Sequence, residues 1–165
     1  MSIETEFLEA FISRPNWLPE QLESDLEKFY SLLEDLMIFP NTIGISQPCL
    51  QTPFNDIIEL MDRCKCAIIF ALPQIFIETG KIKDKDTNGI TLPTEWNQIE
   101  TAIALTLKKP TLIILHEDVT PRGLLEIGAA NVYIHKIKTS DHSWPNNIKD
   151  KLEYLIQAAH KATKK

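Results

Sequence analysis

Hydrophobic positions along the chain switch between two periods. Cys66–Leu72 is apolar at every position, and Thr111–Leu115 is a second apolar run. Short runs without a solvent-facing polar residue predict central parallel strands covered on both faces. Elsewhere the spacing is helical. Over Glu20–Met37, the residues Leu22, Leu26, Phe29, Tyr30, Leu33, Leu36 and Met37 fall on one stripe. Pro19 suits that helix's first turn and Pro40 follows its end. Thr52 and Pro53 predict the N-cap and first position of a second helix, with Phe54, Ile57, Ile58 and Met61 inward. A third helix starts around Thr94 and stops near Lys109-Pro110. A closing helix over Pro145–His160 turns Ile148, Leu152, Leu155, Ile156 and Ala159 inward.

Shorter segments complete the alternation. Phe7–Ser13 is the expected first strand, Thr42–Ser46 a short second one and Asn131–Ile137 the last. Thr120-Pro121 opens a short helix ending near Gly128. Pro73–Pro93 has a charged middle, Lys81–Gly89, and is expected to be a long loop, either functional or disordered. Regular strand–helix alternation predicts a single α/β domain over residues 1–165. Its sheet is expected to be flavodoxin-like, with five parallel strands in the order 2-1-3-4-5 and helices on both faces. Ligands in such folds bind outside the carboxyl ends of the strands, near the switch between strands 1 and 3. Ser13–Leu18, Leu72–Pro93 and the start of the third helix should therefore border the crevice.

Composition narrows the function. The chain has 165 residues, 44% hydrophobic and 24% charged, which suits one globular core. Its net charge of −6, without an offsetting Lys/Arg cluster, argues against a nucleic-acid partner. Lys161–Lys165 is expected to be a flexible tail. Three cysteines without a CxxC pair argue against a disulfide framework or a metal site, and Cys64 and Cys66 are expected as small buried residues at the start of a strand. No apolar run approaches the roughly 20 residues needed to span a bilayer, and the acidic N-terminus lacks a signal-peptide pattern. The expectation is a cytoplasmic protein without a membrane partner. A homo-oligomer is one expected state, because an open crevice on one domain gains walls from a second copy.

One residue carries the candidate chemistry. Glu100 is set among Ile99, Ala102, Ile103 and Ala104, four residues after Trp96 and on the same helical face. A carboxylate among apolar neighbours needs a partner or a task. The alternatives are a reactive group facing the crevice and a structural one bonded to backbone or to Arg14. Trp96 is either a stacking surface or a packing residue. Ser13 and Arg14 end the first strand, where the guanidinium suits a phosphate. His116 follows a strand end without an evident partner.

These residues resemble a known family. Ala10–Ser13, before a loop and an amphipathic helix, looks like the first strand of a TIR (Toll/interleukin-1 receptor) domain. Phe54–Cys64 and Ala67–Ala71 resemble the helix and strand preceding the TIR catalytic segment. Trp96-Asn97-Gln98-Ile99-Glu100 resembles the TIR pattern Trp-Cys-x-x-Glu, with Asn97 in place of the cysteine. Glu100–Ala104 is also similar to the Glu-x-Gly-x-Ala segment of nucleoside 2-deoxyribosyltransferases, which share a related fold. The resemblance implies a catalytic Glu100 acting on the N-glycosidic bond of a nucleotide or nucleoside. It implies NAD as substrate and not as cofactor, with no cofactor required. Ser13, Arg14, Trp96, Pro73 and Asn97 form the expected substrate-binding set. A TIR-like enzyme would make an ADP-ribose-type signal in bacterial antiviral defence. A deoxyribosyltransferase-like enzyme and a non-catalytic nucleotide-sensing or protein-interaction domain are the other two readings.

Overall fold

A computed structural model describes residues 7–163. The chain runs through β1 (Leu8–Ser13), α1 (Glu20–Asp35), β2 (Ile38–Asn41), α2 (Pro53–Arg63) and β3 (Cys66–Ala71). A hairpin follows, β4 (Ile75–Ile82) and β5 (Lys85–Leu92). Next come α3 (Glu95–Thr106), β6 (Thr111–His116) and a 3₁₀ turn at Gly123–Leu125. β7 (Tyr133–Ile137), α4 (Trp144–Asn147) and α5 (Lys149–Thr163) close the chain. The main sheet is parallel, in the order β2-β1-β3-β6-β7. With the hairpin set aside, this is the expected 2-1-3-4-5 order.

Side-chain alternation along the central strands builds two cores. Ala10, Ile12, Ile68, Phe70, Leu112 and Ile114 face α1, α4 and α5, where Phe29 meets Phe70 edge-on at 5.2 Å and Trp144 at 5.7 Å. Phe11, Ala67, Ile69, Ile113 and Leu115 face α2 and α3 on the other side. Burial on both faces is why the runs carry no polar alternation. Local chemistry fixes the helix ends. Thr52 accepts the Asn55 N–H at 3.4 Å, with Pro53 at the first position. After α3, Lys108 takes φ 56°. Its N–H bonds the Leu105 carbonyl and that of Lys109 bonds Ala104, a Schellman closure with lysine where glycine is favoured.

Several expectations change. The second strand is Ile38–Asn41, upstream of Thr42–Ser46. α1 ends at Asp35, and Met37 at φ 58° turns the chain directly into β2. Pro40 is accommodated because β2 is an edge strand, where its missing N–H leaves no ladder bond unmade. Thr42–Gln47 is a turn around the Thr42 carbonyl. Pro73–Pro93 is not a structureless loop: it forms the β4–β5 hairpin, antiparallel from Ile75 opposite Leu92 to Ile82 opposite Lys85. Lys83 and Asp84 both have positive φ (49° and 64°), the conformation of a type I′ two-residue turn. The helix expected after Thr120 contracts to the 3₁₀ turn, and the last strand begins at Tyr133. The closing helix divides into α4 and α5. Lys161–Thr163, expected in the tail, are helical, and Lys164 and Lys165 lie outside the described residues, as does the acidic N-terminal hexapeptide. Phe7 precedes β1.

Candidate active site

β1 ends at Ser13, and the parallel sheet brings the start of α3 beside that end. Ser13, Arg14, Thr42, Cys49, Trp96 and Glu100 are among the lining of a cavity of about 370 Å³ there. The cavity lies at the carboxyl end of β1, on the side where sheet order reverses. Four of the six residues read from the sequence thus share one cavity. Asn97 stands directly behind it. Pro73 does not line it: half-buried beside β3, it uses its carbonyl to accept Gln74 Nε2 at 2.8 Å.

Glu100 is buried, with 9% of its surface exposed. Burial pushes its carboxyl up to about 7, and the neighbouring Ser13 hydroxyl acts in the opposite direction by favouring the charged form. Ser13 is itself held: Asn97 Nδ2 donates to its Oγ at 2.8 Å, a buried bond across 84 residues of sequence. Thr94 Oγ1 donates to Asn97 Oδ1 at 3.3 Å, and Thr101 Oγ1 donates to the Asn97 carbonyl at 2.6 Å. Both ends of the Asn97 amide are therefore fixed, and through Ser13 they set the wall facing Glu100. Trp96 is 40% exposed on the same cavity, leaving part of its indole open to a ligand.

Arg14 does not pair with Glu100. Its Nη2 donates to Glu23 Oε1 at 2.6 Å and its Nε to the Pro15 carbonyl at 3.2 Å. Tyr30 lies beside Arg14 and Thr42. Burial raises its phenol, and the guanidinium works against that rise. Glu23, Tyr30 and Thr42 had no signal in the sequence as site residues. Glu23 and Tyr30 belong to an amphipathic helix, and Thr42 fell in an expected strand.

Two other features are separate from this cavity. His116 ends β6. Its Nδ1 accepts the Asp118 N–H at 3.2 Å, which leaves Nε2 as the donor to Thr139 Oγ1 at 2.8 Å. Burial holds its pKa below the ordinary value, and it fastens two loops together. A larger cavity of about 660 Å³ opens at the amino ends of β3 and β6, lined by Lys65, Lys108, Lys109 and Lys161. It holds no carboxylate, thiol or imidazole among its described lining, so the acid/base chemistry stays with Glu100.

No protein-family model matches the sequence, and no curated protein does. Among solved structures, the chain resembles the Clostridium botulinum CMP N-glycosidase BcmB, with a TM-score of 0.52 and 15% identity. The match covers 88% of this chain and 98% of that one. The two share a fold. At this identity the likeness concerns architecture, and the chemistry rests on the cavity itself. A carboxyl that titrates near neutrality is part ionised and part protonated at pH 7, so it can attack as a nucleophile or act as a general base or acid.

Proposed function

We propose that the chain is an N-glycosidase that breaks the bond between the sugar and the base of a nucleoside or nucleotide. The observation that carries this reading is the buried Glu100 carboxyl, opening on a cavity beside the Asn97-held Ser13 hydroxyl. The ionised carboxylate stabilises or attacks the sugar C1′ as positive charge develops there. The C1′–N bond breaks and its electron pair leaves with the base, which takes a proton from water when it needs one. A water molecule then adds to C1′, releasing the sugar and regenerating the carboxylate. The fold shared with a structure titled CMP N-glycosidase supports the same bond class.

NAD⁺ is the finer candidate, supported by the Trp96-to-Glu100 spacing. Its nicotinamide leaves as a neutral base without protonation. A signalling role in antiviral defence belongs to that version of the proposal. Incubation with NAD⁺, ribonucleosides, deoxynucleosides and nucleotides, with chromatography of the products, identifies the substrate. Glu100→Gln preserves shape and removes the charge, so base release should fall by about 10³-fold or more. Undiminished release by that variant would remove Glu100 from the mechanism. Ligand-induced thermal stabilisation without any turnover would favour a binding module instead.

A further inference from the structure

We propose that Glu23 is a specificity-determining residue, which sets the cavity to take uncharged nucleosides in preference to their 5′-phosphates. This rests on the N-glycosidase reading and opposes its NAD⁺ version, because NAD⁺ carries a charged pyrophosphate. A phosphate monoester carries about −1.5 to −2 charges at neutral pH and needs cations or free N–H donors. Among the described lining residues Arg14 is the one lysine or arginine. Its charge is already paired: Nη2 lies 2.6 Å from the Glu23 carboxylate, and Nε donates to the Pro15 carbonyl. The Arg14 side chain is 11% exposed against 40% for Glu23, so the pair covers the guanidinium with an anion from the solvent side. Counting Arg14, Glu23 and an ionised Glu100, the local charge is negative.

The helix starts bordering the cavity each carry a first-turn carboxylate. Pro53 lines it, but Thr52 caps α2, and Asp56 places a carboxylate in its first turn, accepting the Leu50 and Gln51 N–H groups. Thr94 and Trp96 line it, with Glu95 between them in the first turn of α3. A carboxylate in the first turn of each helix thus offsets the dipole that would otherwise attract phosphate. The volume of about 370 Å³ lies at the small end of the range for ligand sites, which also favours the smaller substrate.

The test compares kcat/KM for matched nucleosides and 5′-monophosphates in the wild type, Glu23→Gln and Glu20→Gln. Glu20→Gln removes the same charge from the first turn of α1 without touching Arg14. The wild type should prefer the nucleoside by about tenfold or more. Glu23→Gln should shift the ratio toward the monophosphate by about tenfold, through KM, and Glu20→Gln by less than about twofold. A wild-type preference for monophosphates overturns the proposal, as does an equal response to the two variants, while leaving the N-glycosidase reading intact. If neither these pairs nor NAD⁺ is cleaved, that reading fails by itself. Calorimetric Kd values for the same pairs then apply the same criteria to Glu23.

Discussion

Glu100 joins an awkward position in the sequence to a measurable property. Its pKa is raised from 4.5 to about 7 by burial, so the folded state holds this proton more tightly than the unfolded chain. The associated stability is complete below about pH 4.5 and is lost as pH rises through about 7. Glu100→Gln, which cannot ionise, should match the wild type at about pH 4. At pH 8.5 it should exceed it by an amount on the order of 2 kcal/mol. Denaturant unfolding at the two pH values checks this; no gain at the higher pH would place the carboxylate in solvent, and a loss there would place it in a pair. Turnover should show the opposite dependence, rising with pH through about 7 as the nucleophilic form accumulates. Glu100 was legible because a charge on an apolar helix is anomalous by itself. Its setting was not, since the Asn97–Ser13 bond spans 84 residues and no local pattern encodes such a contact. Asn97→Leu removes the donor to the buried Ser13 oxygen and leaves that acceptor unsatisfied. The cost should be about 1–3 kcal/mol in thermal or denaturant unfolding, together with reduced turnover.

The elements around the site are joined by a contact at glycine. Gly123 has φ +59°, and a Cβ there would lie 2.9 Å from Gln98 Oε1. Gln98 accepts the Leu124 N–H at 3.1 Å and donates to the Arg122 carbonyl at 2.7 Å, tying α3 to the loop after β6. Gly123→Ala should therefore cost backbone strain and disturb this tie, about 1–3 kcal/mol in all. Gly128→Ala is the control: φ is +86° but nothing lies within 4 Å, so it should show strain alone. Equal melting-temperature losses in the two variants would mean that the Gln98 contact contributes nothing. Elements followed the sequence where burial was two-sided or a helical stripe was long, as in β3, β6 and α1. They departed from it at edges. β2 is only four residues with a proline in it, and its pairing with β1 overrides the local signal. The β4–β5 hairpin was hidden because Lys81–Asp86 suggests solvated loop. Its strands are largely exposed, and its turn uses Lys83-Asp84 instead of a glycine-containing pair.

At the scale of the molecule, the five-stranded sheet and the hairpin differ in how they are held. Every residue of the two core clusters lies outside β4 and β5, and no residue of either strand lines the Glu100 cavity. The hairpin touches the body at its base, where Gln74 Nε2 donates to the Trp17 carbonyl, Thr120 N–H bonds the Thr91 carbonyl and Ile90 is buried. Ile77 and Ile90 are register partners, so residues 78–89 can be replaced by Asn-Gly, a pair suited to a two-residue type I′ turn. The shortened protein keeps Ile90 and both base contacts. It should unfold in one cooperative transition, with a melting temperature within about 4 °C of wild type, equivalent to roughly 1 kcal/mol for a domain of this size. Base release should persist, because the lining of the cavity is untouched. Lost cooperativity would make the distal hairpin part of the folding unit, despite the absence of core residues in it. Retained stability with lost turnover would give it a role over the cavity that its resting position does not display. Retention of both would make β4–β5 an appendage on a sheet that folds and holds the Glu100 carboxyl without the hairpin's outer half.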